Sequence, residues 1–141
     1  MVLKSKDLLG IADLSTEEIL HLLETALMLK RGHGAGALAG KVLGLVFQKP
    51  SLRTRVSFDV AMHQLGGYAM YLSQAEVGLG SRESVGDVAR VLSRYVDGIV
   101  ARTFVHSDVV ELAACASVPV VNGLSDEEHP CQALADLLTI L

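Results

Sequence analysis

Short apolar segments alternate with helical patterns through most of the chain, and this alternation limits the folds that it can adopt. The apolar segments have the length of strands, and the segments between them carry apolar residues at the spacing of an amphipathic helix. This arrangement is typical of a parallel sheet whose two faces are covered by helices. We predict an α/β fold with a doubly wound sheet of about four parallel strands flanked by helices on both faces, the strands being Val42–Phe47, Tyr68–Leu72, Gly98–Ala101 and Val118–Val121.

Hydroxyl residues followed by acidic residues predict where helices begin in the second half of the chain. Ser84 with Asp87 three residues later is a helix cap, and Ser107-Asp108 is predicted to open a short helix. The segment 73–82, which precedes the first of these caps, is predicted to be a loop.

A glycine-rich segment at 32–40 matches the letters of a dinucleotide-binding fingerprint through Gly34, Gly36 and Ala39. That fingerprint requires a strand before it and a helix after it. Here a predicted helix comes first and a predicted strand follows, so we interpret the segment as a surface loop. A generic nucleotide-binding protein of the doubly wound class is therefore disfavoured.

The composition limits the size of the fold and its partners. The chain has 141 residues, enough for one domain with a sizeable core. Half of the residues are hydrophobic, yet no apolar run approaches the ~20 residues of a membrane span. We expect the apolar surplus to cover a surface against another domain or subunit. A net charge of −4 argues against general nucleic-acid binding, so no nucleic-acid or membrane partner is expected.

Two cysteines, Cys115 and Cys131, are too few for a disulfide framework or a zinc site. Lys4, Lys6 and Asp7 interrupt the N-terminus before any long apolar segment, so no signal peptide is recognisable. Both observations predict a cytoplasmic chain. We interpret both cysteines as small buried side chains, since no base that could activate Cys131 is identifiable.

The segment Ser51–Arg55, directly after the first predicted strand, has the features of an anion site. Pro50 favours a turn, and Ser51 is a suitable N-cap, so the amides of the next residues point out of the helix end. Such an end attracts anions, and Arg53, Thr54 and Arg55 add donors suited to a phosphate. A capped helix with solvated arginines is the alternative, which the clustering of these residues disfavours.

Two further clusters follow later strands. Arg102 ends the third strand, and His129 precedes Pro130 at a predicted helix start, with Gln132 three residues on. An amide side chain can both donate to and accept from another amide. Because ligands bind beyond the carboxyl ends of parallel strands, the three clusters should converge there. The other histidines are interpreted as surface or loop residues: His21, His33, His63 and His106.

Two of these segments carry a family resemblance. Pro50–Phe58, with the letters PSLRTRVSF, and His129–Gln132, with the letters HPCQ, resemble the carbamoyltransferase family. Cys131 makes the chain most similar to its ornithine branch, since the aspartate branch usually has threonine there. The resemblance implies carbamoyl phosphate as substrate, phosphate as product, a role in arginine metabolism, and no metal or organic cofactor.

The resemblance also implies roles for individual residues. Ser51, the Leu52 amide, Arg53 and Thr54 would hold the phosphate of carbamoyl phosphate. Catalytic roles would fall to Arg53, to Arg102, which would bridge phosphate and carbonyl oxygen, and to His129, which would polarise that carbonyl. Gln132 would bind the carbamoyl amide. In such a reaction the neutral δ-amine of ornithine attacks the carbamoyl carbon.

The chain departs from the family pattern at Gly78, where many members have histidine or glutamine in a loop that reaches a neighbouring subunit's site. Ser81 or Arg82 could supply that contact, or the contact is absent. The family forms trimers through this half, which implies a homo-oligomer, a trimer or a multiple of it. Residues 1–141 would be a carbamoyl phosphate-binding domain that ends in the inter-domain helix, without the amino-acid-binding domain and without efficient turnover.

Two alternatives to the ornithine assignment remain open at this point. One is a fragment of an aspartate carbamoyltransferase, against which Cys131 argues. The other is a non-catalytic module for carbamoyl phosphate binding or for assembly.

Overall fold

The predicted parallel sheet is confirmed by a computed structural model, which describes residues 2–141. The sheet has the strand order β2-β1-β3-β4, and every neighbouring pair is parallel. The strands are β1 (Val42–Phe47), β2 (Tyr68–Ser73), β3 (Gly98–Arg102) and β4 (Val120–Leu124). The α-helices are α1 (Thr16–Lys30), α2 (Leu52–Gln64), α3 (Gln74–Val77), α4 (Val85–Leu92), α5 (His106–Cys115) and α6 (Pro130–Ile140).

Alternate residues of the strands enter two separate hydrophobic cores, as a sheet covered on both faces requires. On one face, Val46, Ile99 and Val120 pack with side chains of α4 and α5. On the other face, Leu45, Phe47 and Val100 pack with Met62 of α2. The sheet thus lies between two hydrophobic cores, as in a doubly wound fold. The chain therefore has the predicted fold class.

Strand register brings the ends of β1, β3 and β4 to one edge of the sheet. Phe47 is paired with Arg102, and Arg102 is paired with Leu124. The segments that follow these residues therefore leave the sheet side by side. This edge is where the three predicted clusters begin.

The N-terminal segment adds a bridge to the sheet that the sequence analysis did not include. Leu8 lies parallel to Val121, and its amide donates to the carbonyl of Val120 at 2.9 Å. The amide of Asn122 donates to the carbonyl of Leu8 at 2.8 Å. The edge of β4 is thus partly covered by the beginning of the chain.

Several predicted boundaries differ from the structure, and β2 and β3 each end one residue later than predicted. The predicted loop at 73–82 contains the short helix α3, because the Glu76 carboxylate accepts from the Ser73 amide at 2.8 Å. Helix α5 begins at His106 and not at Ser107, because Asp126 accepts from the His106 amide at 2.7 Å. Strand β4 begins later than predicted and continues to Leu124.

Among residues 2–141, no helix is both long enough and apolar enough to cross a membrane.

Candidate functional site

The turn from β1 into α2 forms one side of the site. Ser51 is the N-cap of α2, and its hydroxyl accepts from the Thr54 amide at 3.4 Å. In an α-helix the amides of the first turn have no partner within the helix, so those of Leu52 and Arg53 are available to a ligand. No acidic residue lies in the first turn of α2 to compete for an anion. The Arg53 side chain is exposed.

The Arg55 side chain is not part of this side of the site. Its guanidinium lies over the ring of Tyr71, 3.8 Å from the ring centroid, and Arg55 is not among the residues that line the cavity described below. A cation over an aromatic face is a stabilising contact within the fold. The two arginines of this segment therefore occupy different surroundings.

The end of β3 supplies a half-buried cation. Arg102 is the last residue of β3, and its Nε atom is buried without a hydrogen-bond partner. Burial lowers the pKa of Arg102, although a guanidinium stays protonated at any physiological pH. A buried donor without a partner costs about 1–3 kcal/mol, which a bound acceptor would offset.

His129 is the N-cap residue of α6, with φ −131° and ψ 83°, outside the helical and fully extended regions, and Pro130 occupies the first helical position as predicted. Its Nδ1 atom is buried without a hydrogen-bond partner. Burial and, second, the positive charge of Arg102 lower the pKa of His129. The imidazole is therefore neutral near pH 7 and lies within electrostatic reach of Arg102.

A glycine in β4 lies between β3 and the first turn of α2. A Cβ atom at Gly123 would lie 2.9 Å from the Val100 side chain, which is too close, and 3.7 Å from the Thr54 methyl group, which is an ordinary van der Waals distance. The absence of a side chain at Gly123 is therefore required by β3. The Thr54 side chain lies next to β4, from which the chain leads to His129.

A cavity of about 600 Å³ opens between α1, α2 and α6. Four residues from the predicted clusters line it: Arg53, Thr54, His129 and Gln132. The remaining lining is largely apolar and includes Phe58 and Leu134. Arg102 does not line this cavity. Its charge acts on His129, which does line it. The structure thus brings the three clusters to one edge of the sheet.

The neighbours of His129 on α6 are polar but differ in availability. The Nε2 amide of Gln132 donates to Asp136 at 2.8 Å, so a ligand would have to share or replace this contact. Cys131 is partly buried, and burial raises the pKa of its thiol to about 11. The thiol is therefore protonated and unreactive, as we inferred from the sequence.

The loop after α3 lies away from this cavity. Gly78 ends α3 with φ 64°, and its carbonyl accepts from the amides of Ser81 and Arg82. The guanidinium of Arg82 donates to the carbonyl of Glu76. None of these residues lines the cavity of its own chain. A Cβ atom at Gly78 would lie 2.6 Å from the Cβ of Arg82, so a larger residue here would require a different loop conformation.

Several residues that hold the site together escaped the sequence analysis. Asn122 is fully buried, and its Nδ2 donates to the carbonyls of Leu9 at 2.9 Å and Glu128 at 3.3 Å. Its Oδ1 accepts from the amide of Leu124, which has the unusual φ of 151°. His106, predicted to be a surface or loop residue, is the first residue of α5, is half-buried, and its Nδ1 lies 2.8 Å from the Ser125 hydroxyl.

The chain is similar to known proteins over nearly its whole length. The family model described as "Aspartate/ornithine carbamoyltransferase, carbamoyl-P binding domain" matches residues 6–141. A protein of Bacillus cereus (strain AH187) named ornithine carbamoyltransferase is 56% identical over 138 residues, which are 98% of this chain and 44% of that protein.

Solved structures show the same similarity in three dimensions. Ornithine carbamoyltransferase from Pyrococcus furiosus superposes with a TM-score of 0.95 at 53% identity, over 99% of this chain and 46% of that one. The enzyme from Thermus thermophilus gives 0.90 at 55% identity, over 96% and 48% respectively. The chain therefore spans less than half the length of these relatives.

Titration of His129 tests whether the clusters converge on one anion. We expect NMR to give a His129 pKa below the ordinary value of about 6.5, because burial and Arg102 disfavour the imidazolium. Saturating inorganic phosphate should raise this pKa, since a nearby anion favours the charged form. Arg102→Met should also raise the pKa without phosphate. A His129 pKa that phosphate leaves unchanged would contradict convergence.

Proposed function

Because the chain belongs to the aspartate/ornithine carbamoyltransferase family, we propose that it is the carbamoyl phosphate-binding half of an ornithine carbamoyltransferase. The parent reaction converts carbamoyl phosphate and ornithine to citrulline and phosphate, a step of arginine biosynthesis. One observation carries the proposal: the capped start of α2, a guanidinium whose buried Nε has no partner, and a neutral histidine lie at one edge of the sheet.

The phosphate of carbamoyl phosphate binds at the start of α2. The Ser51 hydroxyl and the amides of the first turn, including that of Leu52, donate to its oxygens, and the helix dipole adds attraction. Arg53 and Thr54 contribute a charge-assisted donor and a hydroxyl. The position of Arg53 and Thr54 on the cavity wall supports these roles.

The carbamoyl group lies toward β3 and α6. Arg102 donates to both a phosphate oxygen and the carbonyl oxygen, which gives its buried Nε side an acceptor. His129 donates to the carbonyl oxygen from a neutral ring, a role that its lowered pKa supports. Gln132 exchanges its contact with Asp136 for the carbamoyl NH₂ group.

These residues lower the barrier of an acyl transfer. The neutral δ-amine of ornithine forms a bond to the carbamoyl carbon, negative charge grows on the carbonyl oxygen, and the carbon–oxygen bond to phosphate then breaks. The amine loses one proton as citrulline forms, and the phosphate, which leaves with the bonding electron pair, takes up that proton. Arg53, Arg102 and His129 stabilise the charge on both oxygens. Holding the two substrates in contact supplies a further part of the acceleration.

The parent protein binds ornithine with residues other than these. Nothing in the cavity is chemically matched to an α-amino acid, because its lining beyond the carbamoyl phosphate residues is largely apolar. We therefore assign residues 1–141 to a carbamoyl phosphate-binding domain that ends in an inter-domain helix, α6, and place the amino-acid-binding domain outside them. The cytoplasm is the proposed location, which the two unpaired cysteines support.

Two other assignments are weaker. An aspartate carbamoyltransferase would share the fold and the phosphate site, but Cys131 and the names of the similar proteins favour ornithine. A non-catalytic module for carbamoyl phosphate binding or assembly would bind the ligand as well. Such a module would differ from a carbamoyltransferase half because it would have no second domain with which to catalyse carbamoyl transfer.

Self-association is the last part of the proposal. Leu52, Val56 and Val60 form an exposed apolar stripe along α2 at four-residue spacing. A second copy seated on this stripe would lie beside the phosphate site, where its loop Gly78–Arg82 could reach it, with Ser81 or Arg82 as the contacting residue. The expected assembly is a trimer or a multiple of it.

Removing Arg53 tests the phosphate site. Arg53→Ala should weaken phosphate and carbamoyl phosphate binding by about 1.5–3 kcal/mol, the worth of a charged hydrogen bond, or roughly ten- to hundredfold in Kd. The free energy of unfolding should change by less than about 0.5 kcal/mol, since the side chain is exposed. Arg55→Ala is the matched control and should leave binding intact, measured by calorimetry. Equal losses in both variants would refute the assignment.

A citrulline assay tests the assignment of the second half. The 141 residues alone should bind carbamoyl phosphate, yet form citrulline at a small fraction of the rate of a complete enzyme, because the acceptor is not positioned. A rate close to that of a complete ornithine carbamoyltransferase would contradict the domain assignment.

Sedimentation tests self-association through α2. The wild-type chain should associate with increasing concentration, and Val56→Glu should weaken this association at least about tenfold, because it places a charge in an apolar contact. Val91→Glu, a change at an equally exposed valine of α4, is the control and should have no effect. A wild-type chain that stays monomeric throughout would refute this part of the proposal.

A further inference from the structure

Gln48 joins the end of β1 to three other segments with its side chain. Its Oε1 accepts from the Phe104 amide at 2.7 Å. Its Nε2 donates to the Asp108 carboxylate at 3.1 Å and to the Leu79 carbonyl at 3.3 Å. The side chain is half-buried and does not line the cavity around the carbamoyl phosphate residues.

Gln48 binds the main chain at Arg102 and again two residues later, at Phe104. The main-chain amide of Gln48 donates to the carbonyl of Arg102 at 2.8 Å, and its side chain holds the amide of Phe104 two residues later. The adjacent Thr103 donates its amide to the carbonyl of Leu124. The turn from Arg102 to Phe104 is thus held to Gln48 at both of its ends.

Arg102 depends on such external support because the sheet is irregular there. The pairing of β3 with β4 shifts register between Ala101 and Arg102. The regular ladder between β3 and β4 is therefore interrupted just before Arg102, although the pairing with β1 continues, and the Arg102 Nε has no partner that would orient the side chain. A hydrogen bond to the next free amide, at Phe104, replaces the missing constraint.

We propose that Gln48 is a positioning residue for Arg102: its side chain fixes the Arg102–Phe104 turn and with it the place of the guanidinium at this edge of the sheet. The inference rests on the proposed function only for the identity of the ligand. Gln48 itself touches neither substrate nor the reacting atoms. The contact with Asp108 keeps the side-chain amide in the orientation that presents Oε1 to Phe104.

A pair of glutamine substitutions separates this role from general packing. Gln74 also donates to the Leu79 carbonyl, at 3.2 Å, but it has no contact with Phe104 or Asp108. Gln48→Met should raise the His129 pKa toward its ordinary value, because Arg102 moves away, and should weaken phosphate and carbamoyl phosphate binding about tenfold, as expected for one lost hydrogen bond. Gln74→Met should leave both quantities within about twofold of wild type.

A donor–acceptor exchange provides the rescue. In Gln48→Glu combined with Asp108→Asn, the carboxylate still accepts from the Phe104 amide, and the new asparagine donates to it. The contact with the Leu79 carbonyl is lost, because a carboxylate has no donor for it. Since the Phe104 contact is the one that positions Arg102, this double variant should recover most of the change in His129 pKa and most of the affinity lost in Gln48→Met. Asp108→Asn alone should have an intermediate effect, because only one of the contacts is altered.

The outcomes distinguish the proposed function from the positioning role of Gln48. If wild type binds no carbamoyl phosphate, the proposed function fails, while the His129 pKa still reports on Gln48 without any ligand. If folded Gln48→Met has a wild-type His129 pKa and wild-type affinity, the positioning role is refuted. Should Gln48→Met fail to fold, Gln48→Asn, which is one methylene too short to reach Phe104, is measured instead and must give the same changes. Failure of the double variant to recover either quantity would also count against the proposal.

Discussion

Parallel pairing of β1, β3 and β4 is the constraint on which the rest of the structure depends. In a parallel sheet all strands end at the same edge, so residues that follow different strands become neighbours. The pairing of Phe47 with Arg102, and of Arg102 with Leu124, sets the Ser51 turn, the guanidinium and the His129 turn side by side. A change of strand order would leave each of these segments intact and abolish their proximity.

The site concentrates positive charge in a protein whose net charge is −4. Arg53 is exposed, whereas Arg102 and His129 are partly withdrawn from water and keep unpaired nitrogen atoms. Each unpaired buried group costs about 1–3 kcal/mol in the empty site. A ligand with a phosphate and a carbonyl oxygen offsets both costs at once, which makes the same groups a source of affinity and of selectivity. The lowered pKa of His129 keeps the ring neutral, so that it acts as a donor to oxygen and adds no charge that would have to be desolvated.

Local patterns predicted what depends on neighbouring residues in sequence. The apolar run Val42–Phe47, the cap at Ser51 and the proline after His129 each identify themselves within a few positions, and all three are confirmed. Helix α3 was missed because it is too short to show an apolar period. The start of α5 was placed one residue late because its cap, Asp126, lies 20 positions away. Gln48 and Asn122 escaped notice for the same reason: their partners lie up to 60 and 113 positions away, and only the folded chain brings them together.

The central claim is that one small anion is held jointly by the α2 helix start, Arg102 and His129. A crystal structure of the chain soaked with carbamoyl phosphate tests it most directly. We predict phosphate oxygens within about 2.7–3.2 Å of the Ser51–Thr54 turn, with the carbonyl oxygen at a similar distance from Arg102 and His129. A ligand bound elsewhere on the protein, or an ordered ligand that contacts only one of the three clusters, would contradict the account.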